Sequence, residues 1–182
     1  IGYVLTGSFC TFSKTIPVIK ELVKNGAEVI PIRSYNSYNL DTKFGKAKEF
    51  IKEIEEITGN KIIHTIQEAE PIGPKKITDI MVIAPCSGNT ISKLAYDIID
   101  TPATMAAKSH LRNNKPLVIA VSTNNGLGAN AESIGRLLYR RNYYFVPFKQ
   151  DNPITKPRSI VADFNMIIKT IEFALEGEQI SP

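Results

Sequence analysis

Cysteine and histidine are scarce, each occurring twice in 182 residues. Cys10 and Cys86 cannot build a disulfide framework, and a closed zinc site would need the fold to gather both of them with His64 and His110. No metal is expected. Apolar runs are short, none near the roughly 20 residues that cross a bilayer, which excludes a helical membrane span. Long blocks of one charge are missing as well. The 22 Lys and Arg against 18 Asp and Glu give a net charge of +4 spread along the chain. The densest basic pairs, Lys75-Lys76 and Arg140-Arg141, have no aromatic residues interleaved for base stacking, so nucleic acid is not an expected partner. Neither the dinucleotide fingerprint G-x-G-x-x-G nor a Walker lysine loop occurs, which weakens a dinucleotide reading and argues against ATP hydrolysis. There is no internal repeat.

What is present reads as one ordinary globular domain over residues 1–182, with 43% apolar and 22% charged residues. The chain opens on Ile and runs straight into an apolar stretch with no visible secretory leader, so a reducing cytoplasm is the expected compartment. Ile1 to Thr6 predicts a strand, Gly7 to Thr11 a turn, and the spacing of Ile16, Val18, Ile19, Leu22 and Val23 a helix that stops at Gly26. Ala27 to Ile32 is a second strand, Arg33 to Asn39 a polar turn, and Phe44 to Ile57 an amphipathic helix. A short strand is expected at Ile62-Ile63, a buried one at Ile80 to Ala84, a fifth at Leu117 to Val121 and a sixth at Tyr143 to Val146. Helices are expected near Ile91 to Ala95, Pro102 to Leu111, Ala131 to Arg141 and Ile160 to Leu175. Asp151 to Arg158 is a polar, proline-containing loop long enough to act as a lid or clamp.

Strands that read as continuous β-branched runs and alternate with helices predict a parallel sheet covered on both faces: a doubly wound, three-layer αβα sandwich with six strands in the order 3-2-1-4-5-6. Ligands of such sheets bind beyond the carboxyl ends of the strands. Four loops there, Thr6 to Thr11, Arg33 to Asn39, Pro85 to Thr90 and Ser122 to Asn130, are dense in Gly, Ser, Thr and Asn. Their amides and hydroxyls suit a phosphate and a polar heterocycle. Gly7 either lets the backbone approach a phosphate or only permits a tight turn, and both readings stand. Cys10 and Cys86 follow neighbouring strands, yet no histidine is placed to activate either. His64 and His110 read as surface or packing residues. Asp151 and Asp163 near the last loop, and Asp97 with Asp100 after the Asn89-Thr90 turn, read as exposed acids or helix caps, and Lys14, Lys93 and Lys108 read either as solvated side chains or as cations for an anionic substrate.

The segment Ala84-Pro-Cys-Ser-Gly-Asn-Thr90 resembles the P-x-x-x-N-T turn of the FMN-binding flavoprotein family, which includes peptidyl-cysteine and phosphopantothenoylcysteine decarboxylases and flavin prenyltransferases. The resemblance implies a Rossmann-like fold and FMN as cofactor. It implies that Gly7 and Ser8 hold the phosphate region, that Phe9 and Ser34 also line the cofactor, that Pro85, Ser87, Gly88, Asn89 and Thr90 lie against the flavin ring, and that Asn124 and Asn125 face the substrate. Asn124 and Cys86 are the catalytic candidates. Where the decarboxylases carry their catalytic histidine, this chain reads Pro71-Ile-Gly-Pro74, and the methionines of the substrate segment are missing around Asn124, so cysteine decarboxylation is not expected.

Stretches such as Ala69 to Lys75, Thr101 to Lys108 and Phe148 to Pro153 are similar to one branch of that family, which forms pyridine-2,6-dicarboxylate from a hydroxy-tetrahydro or dihydro precursor during sporulation. This implies an oxidoreductase subunit that works with a partner chain carrying NADP, in the cytoplasm of the mother cell of a spore-forming bacterium. It also implies assembly as a homo-oligomer, a trimer or a multiple of trimers. Arg112, Lys115 and Lys156 are the candidate cations for the anionic substrate. The other readings are a stand-alone FMN-dependent decarboxylase and a non-catalytic scaffold or activating subunit.

Overall fold

The computed structural model describes residues 1–180. Five parallel strands, β1 (Gly2–Leu5), β2 (Ile30–Arg33), β3 (Met81–Cys86), β4 (Leu117–Thr123) and β5 (Tyr143–Phe145), lie in the order β2-β1-β3-β4-β5. Ile63 adds a single parallel bridge to Ile32 outside β2. The parallel order is therefore the expected one, with the third strand reduced to that bridge. Ile62 is buried there, but two apolar residues are too few to carry a ladder.

The interior strands are buried on both faces, and the period-two alternation of side chains sends neighbouring residues into different cores. Val82, Ala84, Val118 and Ala120 join Tyr3 and Leu5 under α1 (Phe12–Lys24), α3 (Ala47–Thr58) and α8 (Ile167–Leu175), where Phe12, Ile19, Ile54 and Ile171 pack. Met81, Ile83, Ile119 and Val121 join Val4 and Ile32 on the other side, under α4 (Ile66–Ala69), α5 (Gly88–Ala95), α6 (Pro102–Leu111) and α7 (Asn130–Leu138). Those two clusters make the three-layer αβα sandwich.

Local signals fix the helix ends. Gly59, at φ 68°, takes the left-handed conformation that ends α3. Thr65 with Glu68, and Thr101 with Thr104, form reciprocal capping boxes on α4 and α6. The polar segment after β2 is not an open turn. Ser34 caps a short helix, α2 (Tyr35–Asn39), and the Ser37 hydroxyl donates to the Leu5 carbonyl at 2.8 Å.

The largest departure lies between residues 148 and 166. Phe148–Asn152 and Lys156–Ala162 are antiparallel strands, β6 and β7, and β7 pairs with the end of β4 through Ser122↔Val161 and Thr123↔Ile160. The expected loop at Asp151–Arg158 is thus the distal half of a hairpin, turned at Pro153, where Asn152 Oδ1 accepts from the Ile154 and Thr155 amides. The closing helix begins later than expected. Ile160 and Val161 are β-branched and continue the ladder, and Asp163 starts a new turn by accepting the Asn165 amide before α8 begins at Ile167. Among the described residues, no helix is long and apolar enough to cross a membrane.

Candidate functional site

The carboxyl ends of β1, β3 and β4 meet beside the β6–β7 hairpin, and hydrogen bonds lock their loops together. Thr6, fully buried at the end of β1, donates through Oγ1 to the Pro85 carbonyl at 2.8 Å and accepts the Ser87 amide at 2.9 Å. The Ser8 and Ser122 hydroxyls lie 2.8 Å apart, tying the first loop to the end of β4. Ser87 caps α5, where its Oγ accepts the Thr90 amide. Asn130 then joins three segments. Its carbonyl accepts from the Thr123 hydroxyl at 2.8 Å, and its amide donates to Ser92 Oγ at 2.9 Å and to the Gly88 carbonyl at 3.2 Å. A side chain at Gly88 would run into Asn130 and Thr123, so this close approach requires glycine.

These contacts enclose a cleft of about 810 Å³, within the range of small-molecule and cofactor sites. Gly7, Ser8, Phe9, Ser87, Gly88, Asn89, Asn124 and Asn125, all read from the sequence as site candidates, line it. Three others do not. Ser34 is turned to its own helix, and Pro85 lies beneath the turn with its carbonyl taken by Thr6. Thr90 is buried, with its hydroxyl accepting from Ser87 Oγ at 3.2 Å. Cys86 is also corrected. It is fully buried in the apolar cluster under α5 to α7, and burial pushes its thiol pKa far above the ordinary range, so no thiolate forms there at neutral pH. Cys10 is exposed and lies at the cleft.

Sequence reasoning missed Phe44, Ser92 and Ser159 as lining residues. Ser92 stands one helical turn after Gly88 and could have been found from that spacing. Ser159 was hidden by ending the loop at Arg158 and starting a helix at Ile160; as part of β7 its hydroxyl donates to the Thr123 carbonyl at 3.3 Å and to Asn124 Oδ1 at 3.4 Å.

Among the described residues, the lining is mostly neutral and hydrogen-bonding, with three charged side chains: Lys14, Asp151 and Lys156. Lys156 Nζ pairs with Asp151 Oδ2 at 3.0 Å across the hairpin. Other charged candidates are engaged elsewhere. Lys115 pairs with Asp79 before β3, at the opposite end of the sheet, while Lys93 pairs with Asp100 and Arg140 with Asp97. The Arg112 stem packs near Gly73. His110 is fully buried, with Nε2 donating to the Pro116 carbonyl at 2.8 Å and Nδ1 accepting from Thr78 at 2.7 Å. Burial lowers its pKa, which keeps it neutral. His64 stacks on Tyr38 at 4.1 Å. Among the described residues, no cluster of three His, Cys, Asp or Glu could hold a metal.

The donor set fits a phosphorylated polar heterocycle. Hydroxyls of Ser8, Ser87 and Ser122 and the amides of Asn89 and Asn124 face one cleft, and the first-turn backbone N–H groups of α5 lack partners within their helix.

Comparison with known proteins agrees with this geometry. The Flavoprotein family model matches residues 1–148. The chain is 47% identical over 182 residues to the dipicolinate synthase B subunit of Bacillus subtilis (strain 168), covering 100% of this chain and 91% of that one. The crystal structure of the dipicolinate synthase B subunit from Bacillus halodurans C is similar with a TM-score of 0.91 and 46% identity, over 100% of this chain and 93% of that one. Burkholderia xenovorans DmrB in complex with FMN shares the fold, with a TM-score of 0.69 at 14% identity over 96% of this chain and 94% of that one.

Proposed function

The chain belongs to the flavoprotein family, and on that premise we propose that it binds FMN in the cleft and acts as the B subunit of a dipicolinate synthase. In this reading it forms pyridine-2,6-dicarboxylate from a 4-hydroxy-tetrahydrodipicolinate or dihydrodipicolinate precursor, as an oxidoreductase subunit whose partner, the A subunit of dipicolinate synthase, carries NADP. The observation that carries the reading is a single one: the loops after β1, β3 and β4, each polar in sequence, line one cleft of cofactor size.

Gly7, Ser8 and Phe9 would hold the phosphate, with the Ser8 hydroxyl already oriented by Ser122. Ser87, Gly88 and Asn89 would face the ring system, and Asn124 and Asn125 the substrate. Ser34, Pro85 and Thr90 act from behind, by shaping the turns. When bound, FMN would supply a hydride acceptor; aromatisation of the dihydro precursor releases a hydride and a separate proton, and the hydroxy-tetrahydro precursor loses water besides. The protein's own part is to orient and to exclude water. Thr6 fixes the Pro85–Ser87 backbone, Asn130 fixes the start of α5 against β4, and the hairpin closes one side. Asn124, oriented by Ser159, is placed to donate its amide to a substrate carboxylate or ring nitrogen.

The same reading includes a single domain over residues 1–182, cytoplasmic sporulating mother cells as the setting, and assembly as a homo-oligomer, a trimer or multiple of trimers. A second reading, an activating subunit that keeps the flavoprotein fold without chemistry of its own, draws on the lining: among the described residues it includes no histidine, and Cys86 is sealed from it. Mixing the chain with the partner A subunit, NADP and the precursor separates the two. Dicarboxylate formation that falls with Asn124→Ala while the two chains still associate supports the first reading. Undiminished formation with that variant supports the second.

A further inference from the structure

We propose that Lys156, held at the cleft by Asp151, is the residue that selects for a substrate carboxylate, with Asp151 as its positioning residue. The inference rests on the reading just given and adds the group that discriminates among ring acids.

Lys14 and Lys156 are the two cations of the described lining and stand on different elements. Lys14 belongs to α1, the helix that follows Gly7 and Ser8, so on the reading above its charge would serve the phosphate side. Lys156 belongs to β7, the strand that continues into Ser159 beside Asn124. It is the cation on the substrate side. Its side chain remains 54% exposed, and one contact to Asp151 uses one of three ammonium donors, leaving two for an incoming anion.

The ammonium is also held in register with the substrate amides. Asn152 pairs with Lys156 at the end of the hairpin, and Gln150 Nε2 donates to the Pro157 carbonyl at 2.7 Å. Further along β7, the Leu127 amide donates to the Arg158 carbonyl at 3.0 Å, and Gly126 lies so close to Ile160 that a side chain would overlap it. The segment 124–127 and the hairpin are therefore tied together by direct contacts. An exposed ion pair contributes little to stability, so removing the Asp151–Lys156 pair should cost the fold little. Asp151 adds a second constraint. Its carboxylate repels an anion that approaches from the wrong side of the lysine, which narrows the orientations a diacid can take.

The test uses the full chain with FMN and the partner A subunit, and calorimetric titration with pyridine-2,6-dicarboxylate and with pyridine-2-carboxylate. Lys156→Ala should weaken dicarboxylate binding by about tenfold or more and abolish the preference over the monocarboxylate, while FMN affinity stays within about twofold. Lys156→Arg should restore most of the binding, and Asp151→Asn should raise the KM of the precursor by several-fold with kcat nearly unchanged. Equal dicarboxylate affinity in wild type and Lys156→Ala overturns the inference while leaving the cofactor reading in place. A wild-type complex that binds neither FMN nor dicarboxylate overturns that reading and the inference with it.

Discussion

Thr6 and Ser87 are 81 positions apart in the chain, and the Thr6 hydroxyl accepts the Ser87 amide at 2.9 Å while donating to the Pro85 carbonyl at 2.8 Å. One buried hydroxyl thus satisfies two backbone groups of the turn that follows β3. Thr6→Val keeps the shape and removes both bonds, leaving the half-buried Ser87 amide without that partner. We expect a loss of about 1–3 kcal/mol in urea unfolding together with weaker FMN binding. A variant as stable as wild type would show that the turn does not depend on Thr6.

The two thiols should behave differently. Cys10 is exposed at the cleft, whereas Cys86 is fully buried and held neutral. A disulfide exchange reagent at pH 8 should titrate Cys10 promptly in the folded protein and Cys86 only after denaturation, and Cys86→Ser should retain activity with the A subunit. Prompt reaction of Cys86 in the native protein would contradict its placement in the core.

His110 predicts a pH dependence of stability. Burial lowers its pKa in the folded protein from the ordinary 6.5, so the unfolded chain takes up the proton first as pH falls. The stability tied to the neutral ring is complete above pH 6.5 and is lost progressively below it. Unfolding free energies from about pH 8 down to about pH 5 should fall more steeply for wild type than for His110→Gln. Parallel curves would contradict this.

Arg33 is fully buried at the end of β2 and, among the described residues, has no carboxylate within salt-bridge distance; Nη1 reaches the Ala47 carbonyl at 3.4 Å, and Nε and Nη2 have no partner. Burial brings its pKa down to about 10, so it stays charged at neutral pH and the desolvation penalty applies throughout. Arg33→Met should raise stability by about 1–3 kcal/mol between about pH 6 and 9, an advantage that shrinks as pH rises past about 10. Destabilisation by the substitution would show that the guanidinium contributes more through Ala47 and the Phe12 ring, 5.4 Å away, than its burial costs.

The parallel sheet was readable because each of its interior strands is a run of β-branched and other apolar residues buried on both faces, as in Met81 to Ala84 and Leu117 to Val121. The hairpin was not, because most of β6 and the first half of β7 are exposed and polar, and Pro153 and Pro157 read as loop residues. Losing the hairpin also hid Ser159 and placed Lys156 on a flexible loop rather than a strand. Much of the site was legible as glycine- and hydroxyl-rich strand ends, but sequence could not separate residues that face the cleft from those that shape its turns. Ser34 and Thr90 have the same chemistry as Ser8 and Ser87 and point instead into their own helices.

Titration of the purified chain with FMN tests most directly that the cleft between the loops of β1, β3 and β4 is a flavin site. Saturable binding with a shifted flavin absorbance band is predicted. It should weaken markedly in Gly88→Ala, whose added methyl meets Asn130 and Thr123 and displaces the first turn of α5. A flavin spectrum and fluorescence that remain those of free FMN at every protein concentration, in a chain that is otherwise folded, would contradict it.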